Sequence, residues 1–235
     1  FEQLLKSPGL IKQGYGLTET APVAACNPPY GSNKQGSVGL PLPKTQIKII
    51  DPDNPNRTLK IGETGEICIH GPQVMKGYYN KPEETDDVLY DGWFRTGDIG
   101  YMDDDYYVHI VDRKKRLIIV NGYSVYPTVI ENALSKHPDI AECIVVSVPD
   151  KRSGEAAKAF VRLNSTVTEK PTAKDLKAFL SGHINRVTMP KHIIFTDEEL
   201  PKTSVGKPDW KNLQDKEWQQ YDQSENSPIE DVMEV

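Results

Sequence analysis

Four short segments carry side chains of the kind that handle a nucleotide. Gln13-Gly14-Tyr15-Gly16-Leu17-Thr18-Glu19-Thr20 sets two glycines around a tyrosine. That pattern lets backbone approach a flat ligand while the ring covers one of its faces. Thr18 and Glu19 add a hydroxyl and a carboxylate, which suit phosphate and Mg²⁺; the same letters also fit an ordinary glycine-rich turn. Trp93-Phe94-Arg95-Thr96-Gly97-Asp98 places an aspartate after a tight glycine turn. There it can accept from both ribose hydroxyls or simply cap the turn. Asp112-Arg113-Lys114-Lys115-Arg116, followed by Asn121-Gly122-Tyr123-Ser124, is a basic run, and such runs are commonly solvated faces. Pro201-Lys202-Thr203-Ser204-Val205-Gly206-Lys207 ends in Gly-Lys. A phosphate-cradling P-loop is ruled out, because Pro201 stands where it needs glycine and Pro208 where it needs Ser or Thr. An extended Gly206-Lys207 held by Pro208 would instead carry one ammonium into a distant site.

The elements that must position these residues fall into two rhythms. Residues 36–112 read mostly as β. Thr45 to Asp51 alternates polar and apolar and runs into the turn formers Asp51-Pro52-Asp53-Asn54-Pro55-Asn56. Glu66 to His70 alternates again between Gly65 and Gly71, Tyr106 to Val111 is a further strand candidate, and Lys81-Pro82-Glu83-Glu84-Thr85 has the proline and acids of a helix start. Short strands with Gly/Pro turns predict a small barrel or a distorted sheet. Past Asp112 the spacing predicts helix 127–137, strands 140–148 and 157–163, helix 172–186 and strand 192–195, an αββαβ order. Val129/Ala133 and Ile130/Leu134 are expected on one side of the first of these helices.

Composition narrows the class. The chain has 235 residues, with 28 Lys and Arg against 34 Asp and Glu, a net charge of −6. The hydrophobic fraction of 37% and charged fraction of 26% exclude a membrane-embedded or wholly disordered chain. An acidic balance argues against general nucleic-acid binding. Cys26, Cys68 and Cys143 lie far apart, which reads as reduced, cytoplasmic thiols. No apolar run is long enough to span a bilayer. The five histidines lack ligand spacing, so no zinc site is expected. Trp93 and Phe94 read as core anchors, Cys26 as structural, and Asp103-Asp104-Asp105 as an exposed turn.

Taken together and in order, the four segments closely resemble the adenylate-forming superfamily of acyl-CoA synthetases, luciferases and peptide-synthetase adenylation domains. The resemblance runs from Gln13 to Lys207. Gly71-Pro72-Gln73-Val74-Met75-Lys76-Gly77-Tyr78-Tyr79-Asn80-Lys81-Pro82 is similar to the medium- or long-chain fatty acid–CoA ligase branch. The resemblance implies an ATP-dependent ligase that forms acyl-AMP from a small carboxylic, fatty acid and then acyl-CoA. ATP, Mg²⁺ and coenzyme A are the implied cofactors. It implies that Gly14, Tyr15 and Gly16 line the adenine and acyl pocket, Thr18 holds a phosphate and Glu19 the Mg²⁺. Asp98 would bind ribose, Arg113 ribose or phosphate, and Lys207 would be the catalytic lysine of adenylation. Lys115 would be the hinge, and Gly122 would border the pantetheine channel.

The fold expected from all this is α/β with α+β. Residues 1–112 would form a small distorted β-barrel subdomain ending a large N-terminal domain. Residues 113–213 would be a mobile, compact α+β domain and 214–235 a polar, disordered tail. The superfamily's Ser/Thr/Gly-rich phosphate loop has no counterpart in residues 1–12, so the chain is expected to be the C-terminal portion of a longer ligase, inactive alone. Lys207-Pro208-Asp209-Trp210 also departs from relatives that carry basic residues after the lysine. Two alternatives stay open: an enzyme adenylating aryl or other acids with a CoA or carrier-protein acceptor, and a non-catalytic binding or regulatory module.

Overall fold

The computed structural model describes residues 11–226; the opening Phe1 to Leu5 and the end of the expected tail, 227–235, lie outside them. The chain divides into two compact units with the break between Lys115 and Arg116, three residues past the expected boundary.

In the first unit, a small antiparallel sheet joins β1 (Gly14–Tyr15), β2 (Ala25–Cys26) and β3 (Leu40–Pro41) in that order. A larger antiparallel sheet contains β4 (Gln46–Ile50), β5 (Gly65–His70), β6 (Leu89–Tyr90), β7 (Trp93–Met102) and β8 (Val108–Arg113). Its order is β4-β5-β7-β6, with β8 also paired to β7. The alternation predicted for 45–51 and 66–70 holds as a ladder in which Ile47 faces Ile69 and Ile49 faces Ile67. Ile49, Ile67, Ile69, Val108 and Ala24 are buried together, with Tyr15 and Leu17 packed against them, so the site-bearing segment rests on the core. Helix α1 (Pro82–Val88) begins with the expected proline and with Glu83 and Glu84 in its first turn. The expected barrel is not found: among the described residues both sheets are open. Tyr106 has a left-handed φ of 65° and belongs to a turn, which delays β8 to Val108.

The second unit is three-layered. Its sheet takes β9 (Ile118–Val120), β10 (Tyr123–Val125), β11 (Ile140–Asp150), β12 (Gly154–Leu163) and β13 (His192–Phe195) in the order β10-β9-β12-β11, with β13 parallel to β12. Helices α2 (Pro127–Leu134) and α3 (Ala173–Ser181) put Ile130, Ala133, Leu134, Leu176 and Leu180 on one face, against Val145, Ala159 and Val161. Val129, expected on that side, is 37% exposed; the buried stripe is i, i+3, i+4 from Ile130. The alternate β11 residues Ile144, Val146 and Val148 point to the opposite face. There they meet Trp210 and Leu213 of helix α4 (Trp210–Asn226). Residues 214–226, read from composition as tail, continue that helix. Ser147 explains why: its N–H donates to Gln214 Oε1 at 3.0 Å and its carbonyl accepts from Trp218 Nε1 at 3.0 Å. No helix among the described residues is long and apolar enough to cross a membrane.

Candidate active-site cleft

A bulge in β7 aims the key carboxylate. Against β5, Glu66 pairs with Ile99 and Cys68 with Arg95, so Thr96, Gly97 and Asp98 together oppose Ile67 alone. Bulges of this kind re-aim side chains at the edge of a site. Gly97 takes the left-handed φ of 69° that the bend requires. Thr96 Oγ1 pins it, donating to the Ile67 carbonyl at 2.9 Å and accepting from the Asp98 N–H at 3.0 Å.

Asp98, only 4% exposed, then meets two partners. The Tyr15 hydroxyl donates to Oδ2 at 2.7 Å, and Arg113 Nε lies 3.1 Å from Oδ1 across the β7–β8 ladder. Burial pushes the Asp98 carboxyl above the ordinary carboxylate range; the Tyr15 hydrogen bond and Arg113 oppose that rise, while Asp112 and Glu19 add to it. Burial and then the Asp98 charge push the Tyr15 phenol far upward, so it stays a donor.

The Gly16–Thr20 segment reaches the same place by close packing. A Cβ on Gly16 would sit 1.8 Å from the Pro22 carbonyl oxygen, so only glycine fits. Thr18 to Thr20 form one 3-10 turn, with Thr20 buried. Glu19 is held at both ends: its carbonyl accepts from the Met75 N–H and its Oε1 from the Tyr78 hydroxyl, each at 2.8 Å. Burial and then this hydrogen bond raise the Tyr78 phenol above its usual value.

An open cleft of about 700 Å³ gathers Gly16, Thr18, Glu19, Arg113 and Lys115 from the sequence-selected residues. Tyr15 and Asp98 are tied to it through Arg113. Gly14 sits one residue before on β1 and is exposed. Sequence reasoning missed Tyr78, Arg95 and Glu66, which also line the cleft. The signal for Tyr78 was in the Gly77-Tyr78-Tyr79 run, where Tyr78 turns inward while Tyr79 is 90% exposed. Among the described residues no group of three His, Cys, Asp or Glu is arranged to hold a metal. Glu19 alone fits a Mg²⁺ that takes one protein carboxylate and fills its remaining positions with phosphate oxygens and water.

The other two selected residues lie in the second unit, on exposed turns. Asn121 and Gly122 both have positive φ, 51° and 81°, in the two-residue hairpin joining β9 to β10, a type I′ signature. Lys207 closes a turn in which the Thr203 N–H donates to the Lys207 carbonyl at 2.7 Å and Gly206 has φ 78°.

Comparison with known proteins fits this arrangement. Residues 1–79 match the family model described as AMP-binding enzyme, and residues 129–207 that described as AMP-binding enzyme C-terminal domain. The chain belongs to the AMP-binding enzyme family. It is 46% identical over 199 residues to a long-chain-fatty-acid–CoA ligase of Bacillus subtilis, covering 85% of this chain and 35% of that one. A ligase of the same name from Salmonella typhimurium is 44% identical over 199 residues, covering 84% and 34%. The chain thus spans about a third of the length of these relatives. Among solved structures, ATP-bound MatB from Rhodopseudomonas palustris matches with TM-score 0.79 and 35% identity, covering 88% of this chain and 40% of that one. The o-succinylbenzoate CoA synthetase MenE from Bacillus subtilis, bound to its acyl-adenylate, matches with TM-score 0.79, 30% identity and 90% and 42% coverage. The amide bond synthetase McbA from Marinactinospora thermotolerans matches with TM-score 0.76, 36% identity and 87% and 41% coverage.

Proposed function

We propose that the protein containing this chain is an ATP-dependent, AMP-forming acid–thiol ligase, with a fatty acid as its carboxylic substrate and coenzyme A as acceptor. The observation that carries this reading is one cleft lined by the Tyr78-bound Glu19 and by Arg113, whose guanidinium pairs with the buried Asp98 that Tyr15 also bonds. A buried, hydroxyl-bonded carboxylate next to a guanidinium suits the ribose diol and phosphates of a nucleotide.

In this mechanism the acid's carboxylate attacks the α-phosphorus of ATP, pyrophosphate leaves, and the acyl-AMP anhydride remains. Asp98 orients the ribose by accepting from its hydroxyls, Arg113 faces ribose or phosphate, and Thr18 offers a hydroxyl to a phosphate oxygen. Glu19 would hold Mg²⁺, which supplies Lewis-acid neutralisation of phosphate charge when bound. The ammonium of Lys207 would stabilise the negative charge that grows on the α-phosphate oxygens. It must then withdraw so that the thiol can reach the acyl carbon beside Gly122, and a rotation about Lys115 would do this. The break between compact units directly after Lys115 supports that pivot.

Relatives named for fatty acids favour a fatty substrate, whereas MenE and McbA show that similar chains handle other acids and acceptors. Acid-dependent ATP–pyrophosphate exchange on the complete protein, with a panel of acids and with CoA present or omitted, tests the reading. Exchange driven by medium- or long-chain fatty acids supports it. Exchange with aryl acids alone would redirect the specificity, and none with any acid would favour a non-catalytic binding module.

A further inference from the structure

The 3-10 turn Lys114–Arg116 sets an exposed lysine between two side chains that are each locked into a different unit. In the first unit, Lys114 Nζ donates to Glu66 Oε2 and to the Pro52 carbonyl, both at 3.1 Å. The Glu66 side chain is 4% exposed and also receives Arg95 Nη2 at 2.7 Å. In the second unit, Arg116 grips Glu131 with two nitrogens, Nη2 to Oε1 at 2.6 Å and Nη1 to Oε2 at 3.3 Å. It donates further to Thr128 Oγ1 at 3.3 Å and to the Val145 carbonyl at 3.2 Å, and its guanidinium lies 5.4 Å from the Trp210 ring centre. Glu131 is itself fixed by the Val145 N–H, 2.8 Å from Oε1.

Swinging the backbone of Lys114 or Arg116 would break the charge-assisted hydrogen bonds that its side chain makes within its own unit, and bonds of that kind are among the stronger ones. The soft torsions of the connection are therefore those of Lys115. We infer that Glu66 and Glu131 are positioning residues: each clamps one neighbour of Lys115, so that the rotation between half-reactions is confined to a single residue. This rests on the ligase reading above. Confinement matters because a one-residue pivot limits the orientations sampled. A loose three-residue connection lowers the fraction of molecules in either competent arrangement.

Limited trypsin digestion of the complete protein, read by mass spectrometry, tests the clamp bond by bond, because trypsin must extract the lysine or arginine side chain that it recognises. The wild type is expected to be cut after Lys115. Glu66→Gln should raise cleavage after Lys114 by about tenfold and leave Arg116 protected, and Glu131→Gln should do the reverse. Lys114→Met keeps Glu66 paired with Arg95 and so spares the fold; it should lower overall kcat by about tenfold with KM for ATP unchanged. Equal wild-type cleavage after all three residues would overturn the inference. So would variants that open all three bonds alike, or a Lys114→Met enzyme that changes KM and not kcat. A wild type cut only after Lys115 but lacking acid-dependent pyrophosphate exchange would instead sink the ligase reading, and the positioning role with it.

Discussion

The first unit gathers the residues proposed to face the nucleotide from distant points of sequence and ties them into its fold; the second leaves the residues proposed for it on exposed turns. Tyr15 and Asp98 are 83 positions apart and share a 2.7 Å hydrogen bond, and Tyr78 reaches Glu19 across 59 positions. Each of these side chains is at once packing and site. Lys207, by contrast, sits in an exposed turn whose hydrogen bonds are local, and Gly122 in an exposed hairpin turn whose Asn121 N–H donates to the Ser153 carbonyl at 3.0 Å. The difference matches two tasks. A pocket that must hold a nucleotide in one geometry gains from rigidity. A residue that must arrive for one step and leave for the next needs exposure and a carrier that moves.

That contrast can be broken by substitution. Lys207→Ala should give the largest effect, slowing acyl-AMP formation by about 10²–10³-fold while sparing thioester formation from supplied acyl-AMP and leaving the melting temperature unchanged. An equal loss in both half-reactions would show that Lys207 is not a residue of one step. Asp98→Asn should raise KM for ATP by about tenfold and also lower stability, because the carboxylate serves both Tyr15 and Arg113. Steady-state kinetics with a thermal melt reads both; a change in KM alone would separate site from fold. Thr172→Ala removes a capping box in which Thr172 and Asp175 satisfy each other's N–H groups. It should cost about 1 kcal/mol in denaturant titration with no kinetic change.

The smallest effect is a pH dependence in the first unit. Burial alone would raise Glu66, but Arg95 and Lys114 outweigh it and hold the carboxyl below the ordinary glutamate range. Its folded value is therefore below its unfolded one. The stabilisation is complete above about pH 5 and is lost as pH falls through the folded value. Glu66→Gln should flatten that part of the acid-unfolding profile, whereas an unchanged slope would mean the pairing contributes nothing.

Much of the second unit was legible because its elements are long and periodic. The αββαβ order follows from apolar spacing alone, and helix α3 stops at Ser181, short of the expected Arg186, where Gly182 follows. The first unit was less legible. Its strands are short, and register shifts such as the one at Thr96-Gly97-Asp98 leave no periodic trace, so the open sheets read as a barrel. Helix α4 was masked by its charge, although Trp210, Leu213, Trp218 and Tyr221 recur at helical spacing. Asp103, read as part of an exposed turn, accepts from Lys34 Nζ at 2.6 Å and pairs with His109 Nε2 at 2.8 Å. Such a long-range partner has no signature in local sequence. Of the site, the motif letters selected Glu19, Asp98 and Arg113; the Gly77-Tyr78-Tyr79 run hinted at Tyr78, but its pairing with Glu19, and the place of Glu66, emerge only where the chain folds back on itself.

The most direct test follows an oxygen atom. The complete protein would be given a fatty acid labelled with ¹⁸O in its carboxylate, together with ATP and CoA, and the released AMP would be weighed by mass spectrometry. Attack of that carboxylate on the α-phosphorus, followed by thiol attack on the acyl carbon, leaves one labelled oxygen in each AMP. Unlabelled AMP, or label appearing in inorganic phosphate alongside ADP, would contradict the account.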